Sequence, residues 1–213
     1  MKLHSFCAIF AASAGLAGLA PLHAADPAPT PTPSGPQTDG SFRKVILDAD
    51  HEVDGVLQDT IKDPMEIAVA PDGRVFMAER AGVIKMWSPD KKETVVIARI
   101  PVFDGLEEGM LGITLDPNFA QNHWIYLNHS LTEIKPDAKG EKSGIIRVSR
   151  YTLADDKLDL ASEKAIIDIP TQREQCCHVG GSLTFDSEGN LYVSVGDNTN
   201  PFDSDGYSPV DER

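Results

Sequence analysis

The sequence predicts an all-β fold, a β-propeller of four-stranded antiparallel blades, and three observations carry that prediction. Beyond residue 40 the chain breaks into short runs of about five residues, rich in β-branched and aromatic side chains, with Gly, Pro, Asp or Asn between them. Helical periodicity is almost absent there. One hairpin pattern (apolar run, turn, apolar run) occurs three times at steps of roughly fifty to sixty-six residues, and periods of ~40 to 50 residues with about four strands each belong to propeller blades. A β-sandwich shares the strand-and-turn pattern but does not repeat one hairpin three times.

The first 41 residues are expected to stand outside this fold. Lys2 precedes an apolar run from Phe6 to Ala20, too short to span a bilayer, and Ala24 and Ala25 offer a cleavage site. Leu22 or His23 at the −3 position makes that site imperfect. Residues 1–25 read as a secretory signal peptide, which implies an exported protein, periplasmic or secreted, and Cys7 sits inside the apolar run, so no lipobox forms. Residues 26–41 carry Pro27, Pro29, Pro31, Pro33 and Pro36 and read as an extended Pro-rich linker. The propeller portion is then 42–213.

Within it the expected strands are, in order, Phe42 to Leu47, Glu66 to Ala70, Arg74 to Ala78, Val83 to Trp87, Thr94 to Ile100, Leu111 to Leu115, Trp124 to Asn128, Ile145 to Tyr151, Ala165 to Ile169, Ser182 to Phe185 and Leu191 to Val195. The three similar hairpins are Ile67 to Glu79 around Pro71-Asp72-Gly73, Leu111 to Asn128 around Asp116-Pro117-Asn118-Phe119, and Ser182 to Val195 around Ser187-Glu188-Gly189-Asn190. Residues 130–143 read as an insertion that lengthens the second step.

Formal charge is −14, and about −15 once Lys2 leaves with the signal peptide. Phosphate binding needs a basic stripe, so nucleic acid is excluded as a partner, and anionic membrane surfaces with it. No later segment approaches ~18 continuous apolar residues, so no membrane span is expected and the mature chain should be soluble. Cys176 and Cys177 are the cysteines left in the mature chain. They read as a strained vicinal disulfide, as paired thiols, or as two small residues simply packed, and their spacing does not fit a zinc site.

The third hairpin has a consequence for function. Its strands run antiparallel, so their outer ends return to one place, and His178 and Asp197, nineteen positions apart, become neighbours. A His oriented by an Asp is a common general base, while a satisfied loop histidine and a turn-capping Asp are the plainer alternative. The same geometry collects Glu79 and Arg80 from the first hairpin and Glu107, Glu108, Asn128 and His129 from the second. If blades stack radially, these ends line one mouth of the channel, although half of them could simply cap strands or pair along the rim.

Pro64-Met65-Glu66-Ile67-Ala68-Val69-Ala70-Pro71-Asp72-Gly73, followed by Ala78-Glu79-Arg80-Ala81-Gly82, resembles the opening blade of the glucose/sorbosone dehydrogenase family. Glu108-Gly109-Met110-Leu111-Gly112-Ile113-Thr114-Leu115-Asp116-Pro117-Asn118-Phe119 is similar to that family's Gly-Leu-Leu-Gly…Asp-Pro-Asp-Phe run, and Cys177-His178-Val179-Gly180-Gly181-Ser182-Leu183 through Gly196-Asp197 to its His-x-Gly-Gly signature. The resemblance covers about residues 42 to 200. It implies a six-bladed propeller using pyrroloquinoline quinone (PQQ) and calcium, a small sugar as substrate, and a cytochrome c or other electron acceptor as partner. It further implies His178 as the base taking a sugar hydroxyl proton, Asp197 as its orienting carboxylate, and the cofactor as the source of the redox chemistry.

Arg80, Glu107, Gly180 and Gly181 are the expected cofactor-binding residues. Gly180-Gly181 suits a backbone passing close to a bound ring, and a bulge would suit it equally. Glu107 stands where soluble glucose dehydrogenases carry a quinone-touching Gln, and a carboxylate facing an anionic cofactor needs calcium or an Arg to offset it. The family's calcium loop and its basic quinone-binding residues lie downstream of the third blade. Asp203-Ser204-Asp205-Gly206 lacks the distal Glu of an EF-hand loop and reads as a solvated acidic loop. At ~50 residues per blade, about three of six blades are expected, making this an N-terminal portion of a larger ring. The competing function is a non-catalytic propeller module that binds carbohydrate or protein.

Overall fold

The computed structural model describes residues 44–58, 60–174 and 178–197. The expected signal peptide, the Pro-rich linker, the Cys176-Cys177 pair and the acidic tail lie outside the described residues. Two strands open the described chain, β1 (His51–Val53) and β2 (Val56–Gln58), paired across Asp54-Gly55, both at positive φ (53° and 76°). That is the backbone a two-residue hairpin turn requires and Asp-Gly favours. The strand expected at 42–47 is not found over 44–47, where Val45, Ile46 and Leu47 lack a ladder partner and remain exposed. Apolar content marked the wrong segment, and the turn chemistry of Asp54-Gly55 marked the right one.

The first blade is a four-stranded meander: β3 (Pro64–Val69), β4 (Val75–Glu79), β5 (Val83–Ser88) and β6 (Glu93–Arg99), neighbours in space as in sequence. The second begins with β7 (Met110–Leu115), turns through the short helix α1 (Phe119–Asn122), and returns as β8 (Trp124–Ser130). After β9 (Lys135–Pro136), a two-residue strand within the insertion, come β10 (Lys142–Ala154) and β11 (Lys157–Gln172), giving the order β7-β8-β10-β11. β12 (Gly180–Phe185) and β13 (Leu191–Val195) form the opening hairpin of a third sheet. The described residues therefore hold two complete blades and half of another. β10 and β11 run well beyond the expected segments because a tight turn at Asp155-Asp156, both at positive φ, joins them and lets the ladder propagate, with two bulges, through polar residues.

β3 lies against β7, and β7 against β12, so the first strands of successive sheets stand side by side as the inner strands of a propeller do. Glu66 of β3 links all three: its Oε2 accepts the Ile113 N–H of β7 at 2.8 Å and its Oε1 accepts the Ser182 hydroxyl of β12. β7 pairs only with β8, and the Glu66 carboxylate satisfies a donor that the ladder leaves over. Between the first two blades a core of Phe76, Ile84, Met86, Met110, Ile113, Phe119, Ile125 and Leu127 is sealed from water. Tyr126 and Val148 meet Leu183 in a smaller cluster toward the third sheet. β8 alternates strictly, sending Ile125 and Leu127 one way and Tyr126 the other, as period-2 side-chain geometry demands.

The repeat is visible in the turns as well. Asp72, Asp116 and Asp186 each follow an inner strand and each accept the backbone N–H two residues on, from Arg74, Asn118 and Glu188 at 3.1, 2.9 and 2.9 Å. In the second and third hairpins the same carboxylate also accepts a tyrosine hydroxyl from the returning strand, Tyr126 at 3.1 Å and Tyr192 at 3.0 Å. Side-chain and backbone hydrogen bonds from Asn190 hold the Asp186 carboxyl down to about 2.

Candidate active site

One end of the inner strands opens into a cleft of about 400 Å3, to which all three sheets contribute. Met65 and Arg80 come from the first blade, Leu106, Glu107 and Leu111 from the second, and Val179 and Gly180 from the third. At its edge the ends of β12 and β13 bring His178 and Asp197 together, Nδ1 to Oδ1 at 3.0 Å. The ring is about half exposed and the carboxylate mostly covered. An ionised carboxylate only accepts, so Nδ1 carries the proton and Nε2 of the neutral ring keeps a free lone pair. Nε2 has no hydrogen-bond partner among the described residues.

Local backbone demands explain why the chain converges here. His178 sits in the left-handed region (φ 63°), with Gly180 at 72° and Gly181 at 128° behind it. Gly196 could carry no side chain, because a Cβ there would stand 1.7 Å from the His178 carbonyl oxygen. A bulge after Gly180 shifts the register, and the Ser194 hydroxyl accepts the N–H groups of Gly181 and Ser182 at 3.2 and 2.8 Å. Gly180 lines the cleft. Gly181 instead serves the close approach of β12 to β7, where an added Cβ would meet Leu111 Cβ at 2.4 Å.

Arg80 faces the cleft with its guanidinium committed to three backbone carbonyls of the 104–108 loop: Glu108 through Nε at 3.1 Å, Asp104 and Leu106 through Nη2 at 2.6 and 2.7 Å. No carboxylate among the described residues is ion-paired with it. The loop it gathers holds Leu106 at φ 58°, a conformation that a branched side chain rarely takes and that neighbours must enforce. Glu107 turns inward, its Oε2 accepting the backbone N–H of His178 at 2.7 Å.

Four residues expected to line the mouth stand at that end but are buried. Glu79 is buried and paired with Lys85 at 2.5 Å, while also accepting the Lys62 N–H. Glu108 is buried in a two-pronged ion pair with Arg173, Nε to Oε1 at 2.9 Å and Nη2 to Oε2 at 2.8 Å. Asn128 and His129 lie within β8, covered on both sides by β7 and β10, because that strand runs through to Ser130. Burial pushes the His129 imidazole below its ordinary value, and the ring sits neutral.

Arg173 was not foreseen as part of the site. Its Nη1 and Nη2 also reach the carbonyls of Glu133 and Leu131 at 2.6 and 2.8 Å, and its Cζ lies over the Phe103 ring, 4.1 Å from the centroid. Gly144 is bare to make room, since a Cβ would lie 2.1 Å from Arg173 Cζ. A buried guanidinium with no nearby sequence partner leaves no periodic signal, although a lone basic residue five positions before His178 was visible.

The cleft suits a flat, anionic ring such as PQQ. Met65, Leu106, Leu111 and Val179 supply apolar wall, Gly180 has no side chain to intrude, Arg80 supplies positive charge, and the Glu107 carboxylate is turned onto the His178 N–H. Among the described residues no group of three or more His, Cys, Asp or Glu is placed to hold a metal ion. No helix among them is long and apolar enough to cross a membrane.

Known proteins resemble this chain in both sequence and fold. The chain is 28% identical to the aldose sugar dehydrogenase YliI of Escherichia coli over 67% of its own length and 38% of that protein's. It is 26% identical to human Hedgehog-interacting protein (64% of this chain, 21% of that one) and 24% identical to quinoprotein glucose dehydrogenase B of Acinetobacter calcoaceticus (67% and 30%). Among solved structures, the soluble aldose sugar dehydrogenase of E. coli in its apo form superposes with a TM-score of 0.54 at 25% identity, covering 66% of this chain and 40% of that one. The chain thus spans about two fifths or less of the length of these relatives. The profile of the Glucose / Sorbosone dehydrogenase family matches residues 61–208, well over half of the sequence, and the chain belongs to that family.

Proposed function

We propose that this protein is an exported quinoprotein oxidoreductase that oxidises an aldose or related sugar alcohol in the cleft between its first three sheets. The observation that carries the reading is the 3.0 Å contact from His178 Nδ1 to Asp197 Oδ1 at the edge of that cleft. His178 takes the proton of the sugar hydroxyl at Nε2, and Asp197 holds the ring in the required tautomer and stabilises the imidazolium that forms. PQQ, when bound, supplies the hydride acceptor. Arg80 would face its anionic groups, and Met65, Leu106, Leu111 and Val179 would pack on its ring while excluding water. Calcium rests on family resemblance alone. Export rests on the composition of residues 1–25, and the electron acceptor on family resemblance.

Similarity to Hedgehog-interacting protein favours a second reading, a non-catalytic recognition module of the same fold. The test is dye-linked sugar oxidation by the full-length protein titrated with PQQ and calcium, alongside His178→Ala. Turnover that falls by roughly 10² to 10⁴ in the variant supports the general base. Undiminished turnover in His178→Ala removes the mechanism, and failure to bind PQQ with retained glycan or protein binding decides for the second reading.

A further inference from the structure

We propose that Glu107 is a positioning clamp that sets the orientation of His178 by holding its backbone N–H. This inference rests on the reading of His178 as the base. The geometry is specific. Glu107 Oε2 accepts the His178 N–H at 2.7 Å, and Glu108 grips Arg173 with both oxygens at 2.8 and 2.9 Å.

The loop that bears the carboxylates is itself fastened. Arg80 ties down the carbonyls of Asp104, Leu106 and Glu108, and Met110 N–H bonds the Arg80 carbonyl at 2.8 Å. Gly109 completes the joint, since a Cβ there would stand 2.5 Å from the Arg80 oxygen. Rigidity thus runs from the first blade through the second to a histidine on the third. Such support is needed because His178 occupies a strained left-handed conformation. Without the Glu107 bond that conformation would relax, carrying the ring away from Asp197.

A carboxylate is not required for the Glu107 role, because an amide oxygen accepts the same N–H. The clamp therefore predicts a pattern that a charge effect or general destabilisation would not produce. In the full-length protein loaded with PQQ, Glu107→Ala should lower kcat about 10- to 100-fold with KM for the sugar nearly unchanged, the loss expected for a misplaced catalytic group. Glu107→Gln should restore kcat. Nitrogen NMR of histidine-labelled protein should show a single Nδ1–H tautomer for His178 in the wild type and in Glu107→Gln, and mixed tautomers in Glu107→Ala.

Unchanged kcat and tautomer in a folded Glu107→Ala overturn the proposal, as does a loss that Gln fails to rescue. If the wild type does not turn over, or His178→Ala is fully active, the catalytic reading fails while the tautomer pattern still decides the clamp.

Discussion

Buried charge is where single residues of this protein matter most. Arg173 and Glu108 are both sealed from water, and the guanidinium is satisfied by two carboxylate oxygens, two carbonyls and an aromatic face. Desolvating two ions is offset only when every partner is present. Glu108→Ala should therefore cost about 3–5 kcal/mol, far more than losing an exposed pair such as Lys135–Glu133, and denaturant titration of Glu108→Ala beside Lys135→Ala measures the contrast. His129 gives a pH dependence of opposite origin. Its folded value lies below the ordinary one, so the unfolded chain binds the extra proton, and stability is complete above about pH 6.5 and falls as pH drops below it. The slope is at most about 1.4 kcal/mol per pH unit, continuing until the folded imidazole protonates. Melting His129→Gln and wild type at pH 7.5 and 5.5 checks this: the wild type should lose more on acidification.

At the scale of elements, the third hairpin decides whether a site exists. Asp186 fixes its turn, accepting the N–H groups of Glu188 and Asn190, the Asn190 amide and the Tyr192 hydroxyl. The far end depends on glycines whose missing side chains allow close passage. Gly181→Ala would push a Cβ to 2.4 Å from that of Leu111 at φ 128°. About 1–3 kcal/mol of overpacking should follow, together with a shift of the β12 backbone from β7 that lowers turnover. Differential scanning calorimetry and steady-state kinetics on that variant test both, and a fully active, equally stable Gly181→Ala would contradict the packing. The hairpin and its His–Asp convergence were legible in sequence because antiparallel return is local. The two-residue turn at Asp54-Gly55 is equally local, and its chemistry outweighs the apolar content of Val45-Ile46-Leu47, which finds no strand partner.

Across the molecule, each sheet depends on the next. The first two blades share a dry core, but the other face of β3 presents Met65, Ile67 and Val69 to solvent in a continuous row, with Ile67 60% and Val69 63% exposed. In a propeller such a face packs against a neighbouring blade. Ile67→Ser should then destabilise the full-length protein by about 1.5–3 kcal/mol while leaving an isolated 44–197 segment unchanged, because only a covered isoleucine loses transfer free energy. Equal effects on the melting of both would mean that this row is bare in the whole protein.

Periodicity, turn residues and three ordered motifs determined the strand order, the repeat and the meeting of His178 with Asp197, since all of these arise from contacts near in sequence. Tertiary structure alone decided that Glu79, Glu108, Asn128 and His129 are interior, that Arg173 answers Glu108 from 65 residues away, and that Glu107 holds the His178 backbone across 71. The reason is physical. A strand pattern states which face a side chain takes, but burial and ion pairing depend on how far each ladder extends and which blade is laid against it.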